Sequence, residues 1–311
     1  MMRARKNRIA RVHMACALVF VCLMLLPALA LAEEEEPFSI LWVPDTQNTV
    51  YFEPKALDAM ADWILENIET ENIVCVVHTG DLVNEGHHKR EWDVFNTHFY
   101  QRIRDSIPFY PIAGNHDLGV KTRLWDEYLA EDCVRNAVPK AQMFAQGKAF
   151  YQVIEAGGRK LLLLGAGYGA EEAAAPFLRA AAEKNPDAYG ILLVHGYIHP
   201  DGKRREYASV IKQSIIEPID RIRLVLCGHF RGTAFETEQY DATASSPARD
   251  VSVMMCNYQG YTRNSGQMRL LTFDPNTFDI RVRTFSALTG HGMRDAHFKS
   301  DTFTLEGAFQ P

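Results

Sequence analysis

The sequence predicts an α/β fold in which β-sheets are covered by helices. Three observations carry that expectation. From Phe38 onward, short apolar and β-branched runs alternate with segments of helical periodicity. The last third changes to strand patterns joined by turn residues. No internal repeat, long linker or low-complexity tract interrupts the chain, so a single domain from residue 38 to 311 accounts for the pattern.

Each element has its own local reason. Phe38–Val43 is an apolar strand stopped by Pro44. Pro54 then opens a helix, at a position where its missing N–H costs nothing, and Leu57, Met60, Ile64 and Ile68 give that helix an apolar stripe. Asn72–Val77 is a β-branched strand. A second helix carries Trp92, Phe95, Phe99 and Ile103 on one face, and Phe109–Ala113 is a short strand. Phe150–Glu155 and Lys160–Leu164 form a hairpin around Gly157-Gly158. Ala170–Glu183 is an alanine-rich helix, Ile191–Val194 a buried strand, Arg204–Glu217 a helix and Ile222–Cys227 a strand. Polar Glu236–Arg249 is expected to be a surface loop. Val251–Cys256, Met268–Phe273 and Phe278–Phe285 complete the strands, the last two joined by the turn Asp274-Pro275-Asn276-Thr277.

The N-terminus is read as an address rather than as fold. Arg3, Arg5, Lys6, Arg8 and Arg11 precede an apolar stretch from Met14 to Ala32, and Ala30-Leu31-Ala32 offers a small-x-small cleavage site. Residues 1–32 are expected to be a signal peptide and residues 33–37 an acidic linker, which places the mature protein outside the cell or in the periplasm. An uncleaved 14–32 helix would instead anchor it in a membrane. Cleavage removes five positive charges and no acid from a chain already at net −6. That balance excludes nucleic-acid or membrane binding through bulk positive charge. Of the cysteines left, Cys75, Cys227 and Cys256 sit in strand-like runs and are expected to be buried thiols, and with Cys133 they make no disulfide framework.

Chemistry gathers just after the strands, where open α/β folds build their sites. Strand ends deliver Asp45-Thr46-Gln47, Gly80-Asp81, Gly114-Asn115-His116-Asp117, His195-Gly196 and Gly228-His229. Each piece alone is a common turn. Together, carboxylate, amide oxygen and imidazole form a mixed ligand set suited to Mn, Fe or Zn rather than Ca. Brought to one end of a sheet, these groups call for a cation.

Taken in this order, the motifs resemble those of the calcineurin-like metallophosphoesterases, whose pattern is Asp-x-His, Gly-Asp, Gly-Asn-His-Asp/Glu, a lone His, and Gly-His-x-His. Asp-Thr-Gln in the first motif is similar to an exported bacterial branch. The resemblance spans about residues 38–285 and implies a four-layer α/β/β/α sandwich, two mixed sheets flanked by helices. It implies two metal ions, with Asp81 bridging, Asp45 on the first metal, and Asn115, His195 and His229 on the second. It implies that His116 acts on the leaving group while Asp117 orients its imidazole. The activity implied is hydrolysis of a small phosphoric ester by water activated on the metals.

Two positions depart from the family pattern. Gln47 stands where a His is usual, and Arg231 where the last His is usual. The first metal is left with Asp45, Asp81 and the Gln47 carbonyl, a harder and weaker site that would favour Mn or Mg. These departures motivate a rival reading, a protein that keeps the fold and binds metal or phosphate ligands without turnover. Arg231 either reaches the phosphate with its guanidinium fork or merely solvates its loop. His199 is placed near substrate or in a plain loop, and His78 is a strand-edge histidine. Asn257-Tyr258-Gln259 follows a strand, and Gln259 is a candidate substrate contact. His87-His88 is a solvated pair, and Gly165 to Gly169 a turn that lacks dinucleotide-binding spacing. Ester type, metal identity and oligomeric state are not written in the sequence.

Overall fold

Strand β1 (Phe38–Val43) is buried along its whole length, because alternate side chains serve two different cores. Phe38, Ile40 and Trp42 join one cluster while Leu41 and Val43 join another. The computed structural model describes residues 34–118, 138–139, 142–244, 246–259, 266–290 and 302–310. The chain divides into Met1–Glu34 and a compact unit, Glu35–Pro311, which holds every element below. The segment read as a signal peptide and Cys133 lie outside the described residues.

After β1 come α1 (Gln47–Phe52), α2 (Pro54–Asn67), β2 (Ile73–His78), α3 (Lys89–Phe95), β3 (Phe109–Pro111) and a single turn, α4 (Asn115–Leu118). Next are β4 (Met143–Phe144), β5 (Ala149–Ala156), β6 (Arg159–Ala166), α5 (Glu171–Lys184), β7 (Tyr189–Val194), α6 (Ala208–Ile211) and β8 (Ile222–Cys227). Strands β9 (Gly232–Tyr240), β10 (Arg249–Asn257), β11 (Gln267–Phe273), β12 (Ile280–Ser286) and β13 (Thr302–Leu305) finish the described chain.

The strands form two mixed sheets, ordered β13-β12-β11-β1-β2-β3 and β4-β5-β6-β7-β8-β10-β9. In the first, β1 runs parallel to β2 and antiparallel to β11. In the second, β6, β7, β8 and β10 are parallel. The sheets face each other through Trp42, Cys75 and Val77 on one side and Leu163, Ile191, Leu193, Leu226 and Met254 on the other. The outer face of the first sheet is covered by α2 and α3 through Leu57, Met60, Ile64, Trp92 and Phe95. That of the second is covered by α5 and the α6 region through Ala174, Leu178, Ile211 and Ile215. The result is the α/β/β/α sandwich, and the strands buried on both faces read as the continuous apolar runs seen in the sequence.

Most expected elements stand within a residue or two. The hairpin turn falls on Gly157 and Gly158, both at positive φ (+51° and +63°), the backbone that favours glycine in a two-residue hairpin. The Asp274 carboxylate accepts the Asn276 N–H (3.0 Å) and closes the turn between β11 and β12. Two expectations need correction. The polar stretch from Glu236 is no loop at first: β9 runs to Tyr240 and pairs antiparallel with β10. As an edge strand it takes its stability from backbone pairing and leaves polar side chains in water, so its hydrophobic signal is weak. The helix expected at Arg204–Glu217 is only α6 and the π-turn Lys212–Ile216, while Arg204 forms an isolated bridge with Ile198. A second π-turn, Asn96–Tyr100, extends α3 and keeps Phe95 and Phe99 in the same core. Cys75, Cys227 and Cys256 are buried thiols. Among the described residues no helix is long and apolar enough to cross a membrane.

Candidate active site

The carboxyl ends of β1, β2, β3, β7, β8 and β10 point to one place. There the loops lie so close that glycine is required. A Cβ on Gly114 would stand 2.2 Å from Asp81 Oδ1, and one on Gly228 would stand 2.0 Å from Asp45 Oδ1. Asp81 (φ 56°) and His229 (φ 69°) hold left-handed backbone without being glycine, a strained state that tends to persist where a side chain must be aimed.

Four candidate ligands meet around one nitrogen. His195 is fully buried, and its Nδ1–H donates to the Thr79 carbonyl at 2.8 Å. That bond aims Nε2 at Asn115 Oδ1 (3.0 Å), His229 Nδ1 (3.1 Å) and Asp81 Oδ2 (3.3 Å). Asp81, His195 and His229 are the carboxylate and imidazoles close enough to share one metal ion. Against the cost of burial, the carboxylates of Asp81 and Asp45 push His195 up to about 9. The point between Nε2 and Asp81 therefore favours positive charge. His229, half-buried and facing His195, is pushed down to about 4 by desolvation and the neighbouring His195, which leaves its ring neutral and able to ligate.

Asp45 is nearly buried, and its carboxyl lies well above the usual carboxylate range, chiefly from burial and the nearby Asp81. It accepts the His229 N–H (3.1 Å) and Asn257 Nδ2 (2.7 Å), bonds that tie β1 to β8 and β10 across the two sheets. Gln47 and Thr46 donate backbone N–H groups to the Asp81 carbonyl at 2.9 and 3.0 Å. Gln47 Oε1 is buried and meets no hydrogen-bond donor. An orphaned buried carbonyl oxygen, on a residue whose backbone N–H is tied to the Asp81 carbonyl, fits a hard cation. The second-metal donors are thus drawn together, whereas Asp45 is not among the carboxylates and imidazoles that could share that one ion.

The structure reassigns Asp117. It does not hold the His116 ring. Its buried carboxylate accepts the Val83 N–H (3.0 Å) and the Gly114 N–H (2.7 Å), clamping the loops after β2 and β3 that carry Asp81 and Asn115. Burial and the neighbouring Asp81 push it up to about 8. The His116 Nδ1–H instead donates to the Asn84 carbonyl at 2.7 Å, and the His116 backbone N–H donates to Asp81 Oδ1 at 2.9 Å. The spacing of Gly-Asn-His-Asp puts Asp117 next to His116 in sequence, but α4 turns it back into the core.

Other candidates fall outside the cluster. Gln259 is buried and spends Oε1 on the Asn48 N–H (2.6 Å), so it secures the first turn of α1 rather than facing substrate. Arg231 is exposed and makes no ion pair or hydrogen bond among the described residues, the loop-solvating reading. His199 packs on Phe230 (4.8 Å between ring centres) and lies 3.5 Å from Asp201. His78 is a satisfied core histidine: Nδ1 accepts the Gly80 N–H, Nε2–H donates to Thr46 Oγ1, and burial pushes it down to about 3. Sequence reading missed the Asn257 contact to Asp45. It also missed Tyr168, Glu171 and Tyr207, which line a pocket beside His195 and His229. Tyr168 sits in the segment dismissed as a bare turn, and its position after a strand end was the available signal.

The geometry can be set against known proteins. The calcineurin-like phosphoesterase family matches residues 38–230, which contain every candidate metal ligand and His116. The chain belongs to the calcineurin-like phosphoesterase family. It is 27% identical over 285 residues to the uncharacterised protein YvnB of Bacillus subtilis, covering 89% of this chain. It spans only about a fifth (22%) of that relative's length. In fold it is similar to a dimetal phosphatase from Danio rerio (TM-score 0.58, 12% identity, 87% of this chain and 99% of the other). It is also similar to GAP50, the anchor in the inner membrane complex of Plasmodium (TM-score 0.53, 11% identity, 87% and 89%). Family and ligand cluster together point to a metal-dependent phosphoesterase.

Proposed function

We propose that this chain hydrolyses small phosphoric esters at a dinuclear metal centre, in the periplasm or outside the cell after removal of residues 1–32. The observation that supports it most is the convergence of Asp81, Asn115 and His229 on His195 Nε2. Asn115, His195 and His229 would hold one ion, Asp45 and the Gln47 carbonyl the other, and Asp81 both. Bound there, Mn, Fe or Zn, with Mg possible at the Gln47 side, would offset phosphoryl charge and lower the pKa of water.

The chain's own groups divide the remaining work. His195 presents Nε2 because Thr79 takes its other N–H. His116, oriented by the Asn84 carbonyl, keeps Nε2 for the leaving oxygen, either donating a proton or stabilising charge. Asp117 fixes the spacing of Asp81 and Asn115 through the two amides it clamps. Phosphoryl transfer needs this positioning more than it needs covalent chemistry.

The test is hydrolysis of p-nitrophenyl phosphate and bis(p-nitrophenyl) phosphate by the purified protein reconstituted with Mn, Zn, Fe or Mg in turn, with Asp81→Asn as control. Turnover with metal that the control lacks is the expected result, and no turnover of either ester with any metal would overturn the proposal. One observation favours a second reading. Asp45 already accepts two protein donors, which suits a one-metal binding protein on the same fold. Metal stoichiometry separates the two readings, because two tightly held ions require Asp45 to ligate. Export is tested by sequencing the N-terminus of secreted material: a start before Met14 overturns it.

A further inference from the structure

The metal ligands account for the phosphate of the ester and leave its organic group unassigned. A pocket of about 460 Å³ adjoins them, with His195 and His229 in its wall. This volume suits a small organic group. The remaining lining has a definite chemistry. Tyr168 and Tyr207 are 45% and 43% exposed, and Val210 lies beside them at 39%. Tyr168 is anchored by its N–H to the Ala113 carbonyl (2.9 Å) and meets the His195 ring edge-on, 6.1 Å between centres. Tyr207 reaches over the His195-Gly196 turn: a Cβ on Gly196 would stand 3.1 Å from its hydroxyl.

The carboxyl groups of this lining are Glu171 and Glu172, with no lysine or arginine among the described lining residues. Acidic residues are ordinary in the first turn of a helix such as α5, and the Glu171 carboxylate accepts amides of its own turn. That explains why Glu171 is held in place. It does not explain why a pocket bordering a phosphate site carries carboxylates and no lysine or arginine. Neither glutamate forms an ion pair with a lysine or arginine among the described residues.

Resting on the phosphoesterase reading, we infer that this pocket receives the organic group of the ester and selects a positively charged one, an ammonium-bearing alcohol. Electron-rich tyrosine faces attract a cation, and the two carboxylates add charge attraction. A nucleoside polyphosphate or an acidic alcohol would instead bring further negative charge against Glu171 and Glu172.

The test compares two phosphate esters of one shape. Choline phosphate and 3,3-dimethylbutyl phosphate differ only in a quaternary nitrogen replaced by carbon. Calorimetry on the Mn-loaded protein should show choline phosphate binding about tenfold tighter, from a cation–π contact and a partly exposed charge pair. The preference should fall to within about twofold in the Glu171→Gln/Glu172→Gln double variant. The exposed Glu172→Gln change alone should reduce it in part and keeps the test valid if the double variant does not fold. Equal affinities in the wild type, or a preference that survives both substitutions, would overturn the inference. Turnover of the p-nitrophenyl esters without a choline preference sinks this inference alone. A choline preference without turnover of any ester sinks the hydrolysis proposal alone, and binding of neither phosphate overturns this inference while the p-nitrophenyl assay decides hydrolysis.

Discussion

Gly228→Ala probes how tightly the two sheets close on the site. The added Cβ would stand 2.0 Å from Asp45 Oδ1 and 3.2 Å from Thr79 Oγ1, where real Cβ contacts below 3.0 Å are essentially unknown. About 1 Å must be found. The Asp45 carboxylate can yield only by loosening its bonds to the His229 N–H and Asn257 Nδ2. The turn can yield only by moving Gly228, whose N–H donates to the His195 carbonyl at 2.8 Å, and His229 with it. Either route displaces a candidate ligand. A 1 Å misplacement costs about 10²-fold in rate, and weakening one hydrogen bond to a buried charge destabilises by about 1.5–3 kcal/mol. The assay is kcat/KM on the better p-nitrophenyl ester, with bound metal by atomic emission and thermal unfolding alongside. The expected variant is folded, holds less metal and turns over about 10²-fold more slowly. Wild-type turnover and metal content in a folded Gly228→Ala protein would refute the contact as a determinant of the site.

Three further outcomes follow from the same geometry. Asp81→Asn should lose both metal occupancy and turnover, and normal metal content would count against bridging by Asp81. His116→Ala should retain metal and slow esters with poor leaving groups by about 10²–10⁴; equal slowing for good and poor leaving groups would remove His116 from leaving-group chemistry. His78 bears on acid stability: burial pushes it down to about 3 from 6.5, so between those values the unfolded chain binds more protons than the folded one. Its contribution is complete above pH 6.5 and is lost as pH falls toward 3, on the order of 4–5 kcal/mol over the full window. In metal-free protein His78→Gln should flatten that acid limb of urea-unfolding stability, and an unchanged limb would refute the assignment.

How much was legible in advance varied with how local the cause was. Asp45, Asp81, Asn115, His195 and His229 could be named because each follows an apolar strand, and parallel strands carry their ends to one edge. The role of Asp117 could not, because it depends on which way the single turn α4 faces. The same holds for Gln259, whose oxygen meets an amide 211 residues away in sequence. Strand β9 was hidden because an edge strand binds through its backbone, which has no sequence signature.

The sequence by itself determined the alternation of elements and the strand patterns buried on both faces, which rest on periodicity and short-range spacing, while the order of its motifs carried the resemblance to the family and the candidate ligand types that the resemblance implies. Only the tertiary structure decided that Asn257 grips Asp45, that Asn84 rather than Asp117 orients His116, and that Tyr168, Glu171 and Tyr207 share a pocket with His195 and His229. Those relations join loops from two separate sheets. Their distances are set by how the sheets pack on a common core, and no local pattern along the chain encodes that packing.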